Sequence, residues 1–380
     1  MTAPRSRPRI LVTFGTRPEA IKMFPVVSAL READRFDVRL VVTAQHREML
    51  DQVLQIAEIE PDIDLNLMEP GQSLDSLAAR IITRFGEVLD AEKPDRVLVH
   101  GDTLTTMMAT LACYFRRIPV GHVEAGLRSG NIYAPWPEEI NRKVTGAVAD
   151  LHFAPTRAAA DALLAENVWP ASIHVTGNTV IDALFAARNK IKAMPELVPT
   201  IAELKRRFES KRMLVVTAHR RENLGEGMSQ IAHALGQLAK RDDLSILYSL
   251  HPNPNVAEPM RSALARFDNI ALLDPLDYLS FVALLEASDI VLTDSGGVQE
   301  EAPSLGKPVL VMRDTTERPE GVAAGTARLV GTKAETIVKH VARLLDDKEA
   351  YDSMAKAHNP YGDGRASRRI LDIIARAHPM

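Results

Sequence analysis

Thr293-Asp294-Ser295-Gly296-Gly297-Val298-Gln299-Glu300-Glu301 is the stretch whose reading decides the fold. The residues ahead of it, Ser288-Asp289-Ile290-Val291-Leu292-Thr293, are short, apolar and β-branched, a pattern that predicts a buried strand. The residues behind it, Val298 to Leu305, can continue as a helix. Ser-Gly-Gly therefore falls where a strand hands over to a helix. Two residues without Cβ atoms let a ligand approach the backbone closely. The first N–H groups of a helix lack internal partners and lie at the positive end of its dipole, which makes this turn a seat for phosphate. Glu301, one turn into the helix, would repel a phosphate but suits hydroxyl donors such as a ribose diol. The set points to a nucleoside diphosphate. Short glycine motifs also occur in ordinary strand-to-helix turns, so the rest of the chain has to decide.

Around this stretch the chain alternates strand and helix signals. In the first half, strands are expected at Ile10–Phe14, Val38–Thr43, Arg96–His100, Pro119–Val123 and His152–Ala154. In the second they are expected at Met213–Thr217, Ile246–Leu250, Ile270–Leu273, Ile290–Thr293, Val309–Met312 and Arg328–Val330. Pro18 fits the first position of a helix, and Gln45 to Leu50 open another. Repeated βαβ units predict parallel sheets covered by helices on both faces. The expected fold is α/β, with two doubly wound, Rossmann-like domains, a cleft between them and ligands at the carboxyl ends of the strands. The first domain is placed at residues 1–172 and the second at 173–358, with 173–178 as the link. Ile370, Ile373 and Ile374 share one face of a C-terminal amphipathic helix.

Bulk properties narrow the function. With 380 residues, two domains are the default. The composition, 46% apolar and 25% charged, is that of a globular protein, and a net charge of -4 gives no general attraction to nucleic acid or to an anionic membrane. The single cysteine, Cys113, excludes an internal disulfide and a cysteine metal cluster, and its apolar helical setting predicts core packing. No apolar run approaches membrane-spanning length, and the basic start is not followed by a signal-peptide core, so a cytosolic protein is expected. There is neither a dinucleotide-binding G-x-G-x-x-G after the first strand nor a P-loop. No cofactor and no metal are expected.

The polar residues with chemical potential follow the strands. Arg17 and Lys22 come after the first and suit a diphosphate. Asp102 and Glu124 end two separate strands, and Glu138 follows a proline-flanked loop, Tyr133 to Pro137, that can fold over a site. Carboxylates gathered in a cleft divide into acid and base roles, because they cannot all ionise freely. Taken singly, each is also a common turn or capping residue. His219 and Arg220 follow the first strand of the second half, where they can neutralise a phosphate leaving group, and His219 can hold or move a proton. His251 repeats the pattern more weakly, and Arg313 to Glu320 form a dense charged loop.

With these blocks in hand, the chain resembles the non-hydrolysing UDP-N-acetylglucosamine 2-epimerases along nearly its whole length. The resemblance rests on Gly-Thr-Arg-Pro-Glu-Ala-Ile-Lys at 15–22, Gln-His-Arg-Glu-Met-Leu-Asp at 45–51, His-Gly-Asp-Thr at 100–103 and Gly-His-Val-Glu-Ala-Gly-Leu-Arg-Ser at 121–129. It continues in Pro-Glu-Glu-Ile-Asn-Arg at 137–142, His-Arg-Arg-Glu-Asn at 219–223, Asp-Ser-Gly-Gly-Val-Gln-Glu-Glu at 294–301 and Arg-Asp-Thr-Thr-Glu-Arg-Pro-Glu at 313–320. It implies a GT-B-like fold, with the C-terminal helix, 359–380, returning to complete the first domain. It implies a cytosolic homodimer that interconverts UDP-GlcNAc and UDP-ManNAc for cell-surface polysaccharide synthesis, by eliminating UDP to 2-acetamidoglucal and adding it back. By the same resemblance Asp102, Glu124, Glu138 and His219 are catalytic, and Arg17, Lys22, Phe281, Ser295, Gly296, Gly297, Glu301 and Arg318 contact the nucleotide sugar. Gln45, Arg220 and His251 are candidates for a second, activating UDP-GlcNAc site.

The chain departs from the family at Leu104, usually threonine, and at Trp136, often phenylalanine. Hydrolysing relatives resemble Arg-Ala-Glu-Tyr where this chain has Arg17-Pro18-Glu19-Ala20, and Gly-Asp-Arg where it has Gly101-Asp102-Thr103. Both differences favour the non-hydrolysing class. A substrate with extra substituents, such as a 2,3-diacetamido uronic acid, is an alternative. A retaining glycosyltransferase would not need three carboxylates in the first domain, and a sensor would not need all four catalytic candidates.

Overall fold

The central strands are buried on both faces, the mark of a parallel sheet sandwiched by helices. The computed structural model describes residues 7–43, 47–69 and 71–378. Two compact units emerge, Met1–Ala183 with Tyr361–Met380, and Leu184–Pro360.

The first unit carries β1 (Arg9–Phe14), β2 (Asp37–Val42), β3 (Ile63–Asp64), β4 (Arg96–His100), β5 (Val120–Val123), β6 (Leu151–Ala154) and β7 (Ile173–Val175). Their order across the sheet is β3-β2-β1-β4-β5-β6-β7, with all pairs parallel. Leu11, Val41, Val97 and Val99 pack against Phe85, Ala109 and Cys113 on one face. Cys113 is fully buried, and burial pushes its thiol pKa up, consistent with the packing role expected of it.

The second unit carries β8 (Arg212–Thr217), β9 (Leu244–Ser249), β10 (Ile270–Leu273), β11 (Ile290–Thr293), β12 (Val309–Val311) and β13 (Ala327–Leu329). The order is β10-β9-β8-β11-β12-β13, again all parallel. These are the two doubly wound, Rossmann-like units of a GT-B-like chain. Every strand expected from the sequence is present, most within a residue of its expected limits.

Two strands lie outside the expectation. Ile63–Asp64 is too short to show a pattern, and Ile173–Val175, read from the sequence as the link between halves, pairs with β6. The C-terminal helix Ala366–Ala377 packs on the helix Arg17–Glu32, burying Ile370, Leu371, Ile373 and Ile374. Asp182 caps it, accepting the N–H groups of Ala366 at 3.0 Å and Ser367 at 2.8 Å. Among the described residues no helix is long and apolar enough to cross a membrane.

Candidate active site

In a doubly wound sheet the strand order reverses at one point, and the loops leaving the strands there splay apart to make room for a ligand. In the first unit that point lies between β1 and β4. The loop after β1 is Gly15-Thr16, which leads into the helix from Arg17; the loop after β4 is Gly101-Asp102-Thr103. A buried carboxylate, Glu19, ties the two together. Its Oε2 accepts the N–H of Gly15 at 3.0 Å and of Thr16 at 2.8 Å, and its Oε1 accepts the Thr103 hydroxyl at 2.7 Å. Burial raises the pKa of Glu19, and these hydrogen bonds oppose the rise. Arg17, at the first helical position, makes no side-chain hydrogen bond or ion pair with other described residues.

Two of the expected carboxylates leave neighbouring strands, Asp102 after β4 and Glu124 after β5. Each is paired with one cation. Arg142 donates to Asp102 and also, at 3.2 Å, to the fully buried Glu139. Lys22 donates to Oε2 of Glu124, and the Nδ2 of Asn178 donates to the same oxygen at 2.9 Å. The Nε2 of His100 lies 3.8 Å from it. Glu124 adopts φ +61°, the left-handed region that side chains with a Cβ seldom enter. A non-glycine residue held there marks a position where the fold spends stability on geometry. A Cβ added to Gly101 would come 3.8 Å from Oε1 of Glu124, so this carboxylate lies against the loop that carries Asp102.

Glu138 opens the helix Glu138–Val148 after the loop bearing the exposed Tyr133 and Trp136. Its Oε2 is buried without a hydrogen-bond partner among the described residues. Leu104 begins the helix that follows Asp102 and packs with Leu67, Leu77, Ile81 and Met108.

In the second unit the order reverses between β8 and β11. There Asp294, fully buried, does what Glu19 does in the first. Its Oδ2 accepts the backbone N–H groups of His219 and Arg220, each at 2.9 Å, and the Nδ2 of Asn223 at 3.0 Å. Its Oδ1 stands 3.4 Å from Nδ1 of His219. Burial lowers the pKa of His219, and the charge of Asp294 opposes this. The His219 ring stacks on His251, with centroids 5.3 Å apart and planes 14° from parallel.

The helix after β11 begins at Gly296, with Ser295 as its N-cap. The Ser295 side chain makes no cap hydrogen bond, so it does not occupy the first N–H groups of the helix. Neither Gly296 nor Gly297 has a positive φ, so the absence of side chains, rather than special dihedrals, is what these glycines contribute. A Cβ on Gly296 would stand 3.7 Å from Nη2 of Arg220. Glu301 is buried on the same helix, its Oε1 accepting the Tyr278 hydroxyl at 3.3 Å. Phe281 lies one turn along the helix from Tyr278, and Arg318 donates to Glu300.

Of the residues expected from the sequence, Arg17, Asp102, His219, Arg220 and Ser295–Gly297 lie at the strand exits and helix starts that flank the two reversal points; Glu124 and His251 follow β5 and β9, Glu138 opens a later helix, Lys22, Phe281 and Glu301 lie inside helices, and Arg318 follows β12. Gln45 lies outside the described residues. Four residues given no role by the sequence now carry the geometry: Glu19, Arg142, Asn178 and Asp294. Glu19, Arg142 and Asp294 sit inside quoted motifs and Asn178 in the expected link, but nothing in a linear pattern marks a side chain as buried and multiply hydrogen-bonded. Among the described residues no group of His, Cys, Asp or Glu is arranged to hold a metal ion.

Comparison with known proteins bears on the family and the fold. A family model described as UDP-N-acetylglucosamine 2-epimerase matches residues 28–375. A probable UDP-N-acetylglucosamine 2-epimerase of Ralstonia nicotianae is 56% identical over 96% of this chain and 98% of its own length. The UDP-N-acetylglucosamine 2-epimerase of Escherichia coli is 53% identical over the same shares. The crystal structure of a Neisseria meningitidis UDP-GlcNAc 2-epimerase bound to UDP-GlcNAc superimposes with a TM-score of 0.87 at 48% identity, covering 97% of this chain and all of that one.

Proposed function

This chain belongs to the UDP-N-acetylglucosamine 2-epimerase family, and from that premise we propose that it interconverts UDP-N-acetylglucosamine and UDP-N-acetylmannosamine without releasing the free sugar. The observation that carries this reading is the pair of carboxylates at the exits of adjacent strands β4 and β5, each paired with a cation: Asp102 with Arg142, and Glu124 with Lys22. Inverting C2 requires a proton to leave one face and another to arrive on the opposite face, so at least two acid/base groups must serve that carbon.

The reaction runs by elimination and return. A carboxylate takes the C2 proton, the C–H electron pair forms the C1=C2 bond, and the C1–O bond breaks with its electrons going to the β-phosphate oxygen of UDP. The products are 2-acetamidoglucal and UDP. A proton is then delivered to the other face of C2, and the same phosphate oxygen closes on C1. Asp102, Glu124 and Glu138 provide the proton carriers. Arg17, His219 and the N–H groups at Ser295–Gly297 stabilise the charge that develops on UDP, and this stabilisation is expected to lower the barrier more than any other single effect. Lys22, Phe281, Glu301 and Arg318 complete the contacts to the nucleotide sugar, with Glu301 on the ribose hydroxyls. Arg220 and His251 belong to a second nucleotide-sugar site that activates the enzyme, and the working form is a homodimer.

The test is incubation with UDP-N-acetylglucosamine in D₂O, followed by proton NMR. Deuterium at C2 together with UDP-N-acetylmannosamine is the expected result. Free N-acetylmannosamine would assign the chain to a hydrolysing reaction, and no exchange would remove the proposal. Asp102→Asn and Glu124→Gln are expected to abolish turnover while UDP still binds.

A further inference from the structure

Asn178 stands where the chain leaves the first unit and where it returns. Just before it is Gly177, with φ +88°, and just after it is the helix Thr179–Ala193, which runs out of the unit. The returning segment lies against it: the N–H of Asn178 donates to the carbonyl of Tyr361 at 2.7 Å. A Cβ on Gly177 would sit 3.4 Å from Cα of Gly362, so the two passages are in van der Waals contact. It is the left-handed backbone that favours glycine here, since a Cβ would meet Gly362 only at ordinary contact distance.

Asn178 is only 2% exposed, and its side chain is fixed at both ends. Its Oδ1 accepts the N–H of Val180 at 3.1 Å, the side-chain capping bond of a helix start. That bond assigns the amide: with the oxygen committed to the helix, the nitrogen must point the other way, and Nδ2 donates to Oε2 of Glu124 at 2.9 Å. Glu124 is thereby held by two donors from different parts of the unit, Lys22 on the first helix and Asn178 at the chain crossing.

We propose that Asn178 is a positioning residue for the epimerisation, fixing the carboxylate of Glu124 from the point at which the chain crosses between the units. The inference rests on the proposed role of Glu124 as a proton carrier. Asparagine is the residue that does both tasks. Aspartate caps a helix as well as asparagine does, but it cannot donate to Glu124 and would set a second negative charge beside it. Alanine loses both bonds.

This asymmetry supplies the experiment. Wild type, Asn178→Asp and Asn178→Ala are compared for C2 deuterium exchange, kcat, KM, UDP binding by calorimetry, and Tm. Asn178→Asp is expected to lower Tm, because it buries a second carboxylate beside Glu124, yet to keep a Kd for UDP within twofold while kcat falls 100-fold or more. The limb of its pH–rate profile that belongs to Glu124 is expected to move upward. Among the described residues, the charged and titratable groups facing Glu124 include Lys22 and His100, and both are unchanged in the variant. Asn178→Ala, without the added charge, is expected to lose 10- to 30-fold in kcat, with no upward move of the limb.

A kcat for Asn178→Asp within threefold of wild type would overturn the proposal. So would losses of activity, UDP affinity and Tm in step in both variants, which is the signature of a purely structural role. Absence of C2 exchange in the wild type would instead defeat the epimerase reading, and so is distinguishable from failure of this inference.

Discussion

Oε1 of Glu19 accepts the hydroxyl of Thr103 at 2.7 Å, which binds the loop after β1 to the loop after β4 across the reversal in strand order. Four further donors reach the same carboxylate, from Gly15, from the backbone and hydroxyl of Thr16, and from the hydroxyl of Thr106. Glu19→Ala strands these groups in the interior. A loss on the order of 3 kcal/mol or more is expected, because unsatisfied buried polar groups each cost about 1–3 kcal/mol. Glu19→Gln keeps one accepting oxygen and is expected to lose roughly half as much. Denaturant unfolding measures both, and turnover is expected to fall in the same order, since Thr103 adjoins Asp102.

Lys22 is the cationic partner of a carboxylate whose side chain is only 8% exposed. Lys22→Met preserves the length of the side chain and removes the charge. Breaking a buried ion pair by deleting one member costs about 3 kcal/mol or more, because the remaining charge is left uncompensated. The variant is expected to lose that stability and to turn over at least 100-fold more slowly. Unfolding and the D₂O exchange rate test the two statements separately.

The glycines of the Ser295–Gly297 turn separate stability from binding. Gly296 is helical, and a Cβ there meets Nη2 of Arg220 at an ordinary 3.7 Å. Gly296→Ala is expected to leave Tm unchanged or raise it, since alanine is favoured over glycine in a helix by about 1 kcal/mol. Its methyl occupies the approach to the helix N–H groups, so the Kd for UDP is expected to rise tenfold or more by calorimetry. Unchanged UDP affinity would place the phosphate elsewhere.

Asp294→Asn tests the link between that residue and His219. Burial pulls the titration of His219 below the ordinary imidazole value of 6.5, and the negative charge of Asp294 holds it up. Removing the charge is expected to lower the midpoint further, and imidazole resonances in NMR spectra recorded against pH report it directly.

Acid sensitivity follows from three buried histidines. Burial lowers the pKa of His100 to about 4, of His122 to about 3 and of His152 to about 4, from an ordinary 6.5. In His100, Lys22 adds to the effect of burial, and the charge of Glu124 opposes it. Between pH 6.5 and about 4 the unfolded chain binds protons that the folded chain refuses, so stability decreases as the pH falls through this window. It is fully present above the ordinary value. Tm is expected to drop by roughly 5 °C or more between pH 7.5 and pH 4.5. His122→Asn is expected to flatten that slope, and an unchanged slope would remove His122 from the explanation.

Much of the fold was legible because buried parallel strands are written as short β-branched runs. Arg96–His100, Ile270–Leu273 and Ile290–Thr293 have the limits their sequences predict. The C-terminal helix was legible for a similar reason, since its isoleucines recur at helical spacing. Ile173–Val175 was not, because three residues beside a glycine look the same as a link and as an edge strand; pairing with β6 is a tertiary fact.

The sequence by itself determined that glycine, carboxylate and imidazole residues follow the strands, because strand exits are marked by the change from an apolar run to Gly, Asp or His. It placed Asp102, Glu124, His219 and Ser295–Gly297 at such exits. Only the tertiary structure decided which exits flank the reversal points, through the orders β1-β4 and β8-β11. It alone gave Glu124 its partners Lys22 and Asn178, which lie 102 and 54 residues away in the chain. It also turned Glu19 and Asp294 from motif residues into buried anchors. The physical reason is that hydrogen bonding and desolvation depend on which groups meet once the sheets have formed, and residue order along the chain does not encode those distances.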